Sequence, residues 1–322
     1  MKNVKFVDFL QEPKNDKVDL ILGLTNRSQK HINPKYFYDE KGSKLFEEIT
    51  NVEDYYPTKK EMEIFNSRYK LFQKILPKKP VIIEFGSGSN KKITKLLEIL
   101  NTTIEYISID ISKKFLLRNA HDLAKRFPEL KVKAICADLN CNLNIPSIIK
   151  IKKPKIGFFP GSTIGNFCPD DAKKILKKFA RLLDVNNFLI IGVDLIKNKK
   201  ILEKAYNDDE GITAKFNKNI FSSINKKYGS NFNKDNFDHN AFFNSSKDRI
   251  EMHLISNKLH SVNILDKKLQ FKKGESIHTE NSYKYTYSTF EKLVNKTNFV
   301  VENFVTDSKE FFGIFILKVL KK

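Results

Sequence analysis

The chain of 322 residues is 40% hydrophobic and 30% charged, which fits a globular protein and excludes a disordered one. No apolar run approaches the ~20 residues needed to cross a bilayer. Met1 to Gln11 lacks the hydrophobic stretch of a signal peptide, so a cytoplasmic protein with no membrane partner is expected. The net charge of +20 raises nucleic acid as a partner, but only six of the 58 basic residues are arginine: Arg27, Arg68, Arg118, Arg126, Arg181 and Arg249. The lysines are spread along the whole chain, so solvated lysine faces are favoured and no nucleic-acid partner is expected.

Up to Leu76 the chain reads as helix and loop. Ser43–Ile49 has helical spacing with Ser43 as N-cap, and Thr58–Leu76 repeats its apolar residues every three or four positions. Thr58 and Glu61 stand in the capping-box arrangement at the start of that helix. From Pro80 the texture changes. Strands are predicted at Val81–Phe85, Tyr106–Asp110, Val132–Ala137, Ile156–Pro160 and Phe188–Val193, with helices at Lys91–Leu100, Ser112–Phe127 and Asp170–Leu183 between them. That alternation is the signature of a Rossmann-like α/β sheet of parallel strands and crossover helices.

After Asp194 the pattern breaks. Helices near Lys199–Asn207 and Gly211–Tyr228 precede strands at Arg249–Ser256 and Ser261–Leu265. A helix at Tyr287–Lys296 and strands at Phe299–Val305 and Phe311–Val319 then close the chain. This predicts a first domain of residues 61–195 plus 287–322, with a seven-stranded sheet, and a smaller α+β substrate domain of residues 1–60 plus 196–286.

Cys136, Cys141 and Cys168 are too few for a disulfide scaffold and fit a reducing compartment. Cys136 and Cys141 have no second Cys or His pair at finger spacing, and the histidines, His253 and His278 among them, look scattered; no metal is expected.

The strongest generic signal is "VIIEFGSGSNKK" (Val81–Lys92), a buried strand that ends in Glu84 and then Gly86-Ser87-Gly88. Glycines there let a ligand approach the backbone at the carboxyl end of the strand. Lys91 occupies the third glycine position of a dinucleotide fingerprint, which disfavours NAD. Asp110 ends the second strand, where a carboxylate accepts from a ribose diol, and Asp138 ends the third, where adenine contacts occur. Acidic residues at three successive strand ends point to S-adenosyl-L-methionine (SAM).

Several longer segments resemble the L-histidine Nα-methyltransferases, which form hercynine on the route to ergothioneine. They are "PKYFYDEKGSKLFEEITNVEDYYPTKKE" (Pro34–Glu61), "EFGSGSNKK", "FFPGSTIGNF" (Phe158–Phe167), "GVDLIKN", "AYNDDEGITAKFNKN" (Ala205–Asn219), "RIEMHLIS" and "IHTENSYKY" (Ile277–Tyr285). The match is colinear from residue 34 onward, and "GSTIGN" with "TENSYKY" carries most of its specificity.

The resemblance implies a SAM-dependent methyltransferase sheet and roles for particular residues. Gly86, Lys92, Asp110, Asp138, Leu139 and Gly161 would face the cofactor. Tyr55, Asn166, Tyr206, Met252, Glu280 and Ser282 would surround histidine, with Tyr38 and Asn166 as the catalytic candidates. The residue types suit the chemistry. An amide such as Asn166 both donates and accepts, as an amino-acid head group requires. Tyrosine rings and phenol oxygens accommodate an ammonium group. Glu280 and Ser282 are two apart, so on a strand they share a face and can serve both imidazole nitrogens. A second expectation is methylation of another free amino acid or a peptide N-terminus. A third is a basic nucleic-acid-binding protein on the same fold. The enzyme is expected to be a monomer.

Overall fold

The computed structural model describes residues 4–10, 15–139 and 153–320. The elements begin β1 (Val4–Asp8), α1 (Asp16–Thr25), β2 (Lys30–His31), α2 (Glu40–Ile49), α3 (Tyr56–Ser67) and α4 (Tyr69–Ile75). There follow β3 (Val81–Phe85), α5 (Asn90–Leu100), β4 (Glu105–Asp110), α6 (Lys113–Arg126), β5 (Lys131–Cys136), β6 (Lys155–Phe159), α7 (Pro169–Leu183) and β7 (Phe188–Asp194). Next come α8 (Lys199–Lys204), α9 (Ile212–Tyr228), β8 (Phe237–Asn244), β9 (Arg249–Ser256), β10 (His260–Ile264), β11 (Lys267–Phe271) and β12 (Ser276–Tyr283). The last are α10 (Tyr287–Val294), β13 (Phe299–Thr306) and β14 (Phe312–Val319). No helix among the described residues is long and apolar enough to cross a membrane.

The chain forms two compact units, one of Met1–Gln11, Pro57–Ile196 and Tyr283–Lys322 and the other of Glu12–Tyr56 and Lys197–Ser282. The larger holds a sheet in the order β1-β5-β4-β3-β6-β7-β14-β13. β14 runs antiparallel to both β7 and β13, and the other pairings are parallel. The sheet therefore has eight strands where seven were expected. The extra one is β1, which pairs with β5 from Val4↔Val132 to Asp8↔Cys136 in a stretch that had read as helix and loop.

Helices cover both faces of this sheet, and its central strands are accordingly apolar on both sides. Val81, Ile83 and Phe85 of β3 join one core with Leu176 and Phe179 of α7 and Phe290 of α10. Ile82 points the other way, into a core with Phe65 of α3, Leu96 of α5 and Leu116 of α6.

Two helix starts differ from expectation. Asp39, not Ser43, caps α2, its carboxylate accepting from the Gly42 amide at 2.7 Å. The helix expected over Thr58–Leu76 begins at Tyr56, admits Pro57 in its first turn, and breaks at Arg68 (φ −110°, ψ 14°) into α3 and α4. Thr58 and Glu61 thus lie inside α3, where Glu61 is buried and has tertiary partners rather than a cap to close.

The smaller unit holds a sheet in the order β2-β12-β9-β8, with α9 against it and a β10–β11 hairpin beside it. Phe216 of α9 stacks on Phe37 at 4.6 Å, and Phe221 stacks on Phe232 at the same distance. The strands β8, β11 and β12 were not predicted, because their polar residues hide the apolar alternation.

The larger unit's core turns on Phe179, whose ring lies parallel to Phe85 at 3.7 Å and edge-on to Phe159 at 5.1 Å. Phe179→Ala is expected to lower unfolding stability by about 3–5 kcal/mol, measured as a shift in the urea midpoint at unchanged slope.

Candidate active site

The winding of the large sheet reverses between β3 and β6: β4 and β5 lie to one side of β3, β6 and β7 to the other. Loops leaving the carboxyl ends of the strands separate at such a point and leave a crevice. Gly86 and Gly88 follow β3 there, at φ +72° and +42°, in the left-handed region that favours glycine. A Cβ at Gly88 would meet nothing within 4 Å, and one at Gly86 would meet only Leu139 Cδ1 at 3.9 Å. The loop is pinned from below. The Gly86 amide donates to the Ile109 carbonyl at 2.8 Å, and Asn119 Nδ2 donates to the Gly88 carbonyl at 2.5 Å.

Asp110 ends β4 and accepts from the amides of Ser112 at 2.8 Å and Gly88 at 3.3 Å. Asp138 and Leu139 follow β5, both half-buried, and the Leu139 carbonyl accepts from Lys178 Nζ at 2.8 Å. Glu84, the acid inside β3, is buried and accepts a hydrogen bond from the Tyr106 hydroxyl; burial pushes its carboxyl well above the usual range. It belongs to the core of the strand rather than to the crevice.

Glu61 was read as a capping residue and is a centre of this region. Its side chain has no exposure, and both carboxylate oxygens accept from the Gly161 amide, at 3.1 and 3.0 Å. Lys92 Nζ lies 2.7 Å from the same carboxylate. A Cβ at Gly161 would stand 2.8 Å from Lys92 Nζ, and one at Gly192 would stand 2.2 Å from Glu61 Oε1. Glu61 therefore ties α3, the start of α5 and the loop after β6 together. Asn166 closes a 3-10 turn in that same loop, Thr163–Asn166, half-buried. Beneath it Gly165 rests on the chain at Tyr283, whose carbonyl would be 2.8 Å from an added Cβ.

In the smaller unit the Tyr206 hydroxyl donates to Ser282 Oγ at 2.8 Å, and the Tyr55 ring meets the Tyr206 ring edge-on at 6.2 Å. Glu280 and Ser282, both buried, sit on one face of β12 as their spacing required. Met252 is buried on β9, and its carbonyl accepts from Thr279 Oγ1 at 3.0 Å. Tyr38 belongs to another aromatic group, 6.2 Å from Phe46 and 5.9 Å from Phe216.

The histidines that looked scattered come together. His253 and His278 stack at 4.8 Å, 14° from parallel, and with Glu251 bring three potential ligand atoms within 4.8 Å of one another. His253 Nε2 lies 3.1 Å from Glu251 Oε2, and His278 Nε2 reaches outside the group to the Glu280 carbonyl, also at 3.1 Å. Arg249 holds Glu251 Oε1 at 2.6 Å. Burial pushes the Glu251 carboxyl up, but bonds from Arg249 and His253 outweigh it and hold the group down at about 2. Burial, and then the His253 ring, pushes His278 down to about 4.

The sequence matches the family described as histidine-specific, SAM-dependent methyltransferases over residues 16–319. It is 32% identical over 272 residues to the histidine N-alpha-methyltransferase of Mycobacterium tuberculosis, covering 83% of each chain. The histidine N-alpha-methyltransferase of Mycolicibacterium smegmatis is 33% identical over 273 residues, again with 83% of each chain covered. Ergothioneine biosynthesis protein 1 of Schizosaccharomyces pombe is 27% identical over 273 residues, 81% of this chain and 35% of that one.

Two outcomes test this geometry. Glu61→Ala takes the carboxylate from half-buried Lys92 and the Gly161 amide, so a loss of about 1–3 kcal/mol is expected in urea unfolding. His278 ionises less readily in the fold than its ordinary 6.5, so the unfolded chain gains a proton first as pH falls. Stability should therefore drop from about pH 6.5 to pH 4 by on the order of 2 kcal/mol. His278→Gln should flatten that window, seen as a smaller shift of the urea midpoint between pH 7 and 4.5.

Proposed function

Because the chain belongs to the histidine-specific, SAM-dependent methyltransferase family, we propose that it transfers methyl groups from SAM to the α-amino group of free L-histidine, three in succession, to give hercynine. The observation that carries the substrate reading is the buried face of β12, where Glu280 and Ser282 stand together and Tyr206 is bonded to Ser282. Glu280 is assigned to accept an imidazole N–H. Ser282, which accepts from Tyr206, is assigned to the other ring nitrogen. A pocket of that kind rejects an apolar side chain, which leaves the buried polar pair unmatched.

The residues of the larger unit fit the cofactor. The Gly86–Gly88 turn offers open space that a side chain would fill, and Asp110 holds a carboxylate at the next strand end. Asp110 is assigned to the ribose diol, Asp138 and Leu139 to the adenine end, and Gly86 and Gly161 to close backbone approach. Lys92, held by Glu61, borders the same loop. When bound, SAM supplies an electrophilic methyl group on a sulfonium sulfur.

The chain's own part is alignment, since an in-line displacement by a neutral amine needs no nucleophilic side chain. Asn166 is assigned to the amino-acid head group, its amide able to accept from the amine and donate to the carboxylate. Tyr206 stands among the residues that the family resemblance places around histidine. Its hydroxyl donates to Ser282, so its assigned part is to orient the imidazole partner. Tyr55 and Tyr38 offer rings and phenol oxygens to an amine that becomes a fixed cation, and Met252 supplies apolar wall. The reading has a small molecule as partner, with neither nucleic acid nor membrane, and a monomer in the cytoplasm.

The test is mass spectrometry of the purified protein with SAM and a mixture of the protein amino acids. The expected product is histidine carrying three added methyl groups, and methylation of a different amino acid overturns the substrate reading. Glu280→Ala should raise KM for histidine by about tenfold or more while cofactor affinity holds. Asp110→Ala should weaken cofactor binding by a similar factor, as titration calorimetry would report.

A further inference from the structure

Behind the residues assigned to histidine lies a side-chain network that the assignment does not use. Asn217, in the middle of α9, has no exposure, and its carboxamide is bonded in three directions. Nδ2 donates to the His239 ring at Nδ1 (2.8 Å, on β8) and to the His253 carbonyl (3.1 Å, on β9). Oδ1 accepts from Thr279 Oγ1 (2.7 Å, on β12), and the same hydroxyl lies 3.0 Å from the Met252 carbonyl. At the far side of the imidazole, His239 Nε2 reaches the Tyr206 carbonyl at 2.8 Å.

The partners fix the chemistry of the ring. A carbonyl can only accept, so Nε2 carries the proton; an amide nitrogen can only donate, so Nδ1 is bare. Burial, with the Lys218 charge beside it, favours the same neutral form, against the bond to the Tyr206 carbonyl and the Asp208 charge. The path from Asn217 ends on Tyr206 and Met252, two of the residues assigned to the substrate, and on Thr279, the residue before Glu280.

We propose that Asn217 and His239 are positioning residues for the amino-acid substrate: through the Tyr206 backbone they set the Tyr206–Ser282 pair, and through Thr279 they set the strand carrying Glu280. The inference rests on the substrate reading above. A fully satisfied polar network holds its members in one arrangement, because any shift leaves a buried donor or acceptor unpaired. Neither residue touches the substrate. Their effect is on where the imidazole partners stand, so it belongs to binding of histidine more than to the transfer step.

The test compares His239→Asn, His239→Gln and Tyr206→Phe in steady-state kinetics, with cofactor affinity by calorimetry and melting temperature alongside. Asparagine reaches only as far as Nδ1 and loses the bond to Tyr206, whereas the glutamine amide can place a donor near the position of Nε2. His239→Asn should raise KM for histidine by about tenfold with kcat and cofactor affinity little changed, and His239→Gln should recover most of that loss. A wild-type KM in His239→Asn, with KM raised in Tyr206→Phe, overturns the positioning role and leaves the substrate reading intact. A fall in melting temperature and cofactor affinity together, which glutamine does not restore, reduces the network to packing and also overturns it. An unchanged KM in Tyr206→Phe removes the substrate reading itself, and the inference with it.

Discussion

The reversal of winding between β3 and β6 is the constraint from which the cofactor side of the molecule follows. A right-handed crossover places its helix on a fixed face of the sheet, so strands laid to either side of β3 send their helices to opposite faces. The loops at the carboxyl ends of β3 and β6 must then part. Gly86 and Gly161 follow β3 and β6 there, and Asp110 and Asp138 stand at the same ends of the neighbouring β4 and β5. The left-handed turn at Gly86–Gly88 completes it, since a side chain there would occupy the opened space.

Opening a crevice leaves polar groups in a place that water reaches poorly, and buried charge has to be matched on the spot. Glu61 does this on the cofactor side, with Lys92 and the Gly161 amide as its partners. A further pair, this one fully buried, is Lys284 with Asp194 at 2.7 Å, which joins the end of β7 to the chain after β12. Asp194 is held again through its amide, which donates to Ser162 Oγ at 2.9 Å. Both pairs therefore converge on the loop that carries Gly161, Ser162 and Asn166. That loop is short of regular structure, and buried ion pairs rather than a ladder define its path.

The parallel core was legible because its strands are buried on both faces and read as plain apolar runs; β3 occupies the residues predicted for it. The strand ends followed, and with them Gly86, Asp110 and Asp138. What sequence patterning missed is polar and non-local. β12 carries His278, Glu280 and Ser282 on one face, so its half-buried alternation looks like a loop. Glu61 had a local explanation in the spacing from Thr58, and a tertiary partner 31 positions ahead at Lys92 displaced it. Asn217 gave no signal, because its partners stand 22, 36 and 62 positions away. Tyr55, Asn166, Glu280 and Ser282 were reached through family resemblance, since each alone has an ordinary structural reading.

The two units solve recognition by different physics. On the large sheet the groups assigned to the cofactor are largely backbone and strand-end carboxylates, placed by topology. On the smaller sheet, the selectivity we propose depends on the direction of individual hydrogen bonds: Tyr206 into Ser282, His239 into the Tyr206 carbonyl, Asn217 into His239. Asn217 behind the His239 ring fixes the sense of its bond, and that fixed end is a carboxamide with no exposure. Such a chain discriminates by leaving a buried partner unmatched when the wrong side chain enters, a larger penalty than any apolar pocket can impose by shape. A common sheet can thus serve many methyl acceptors, while the acceptor is chosen by a few polar groups on a unit whose sequence pattern reveals little of it.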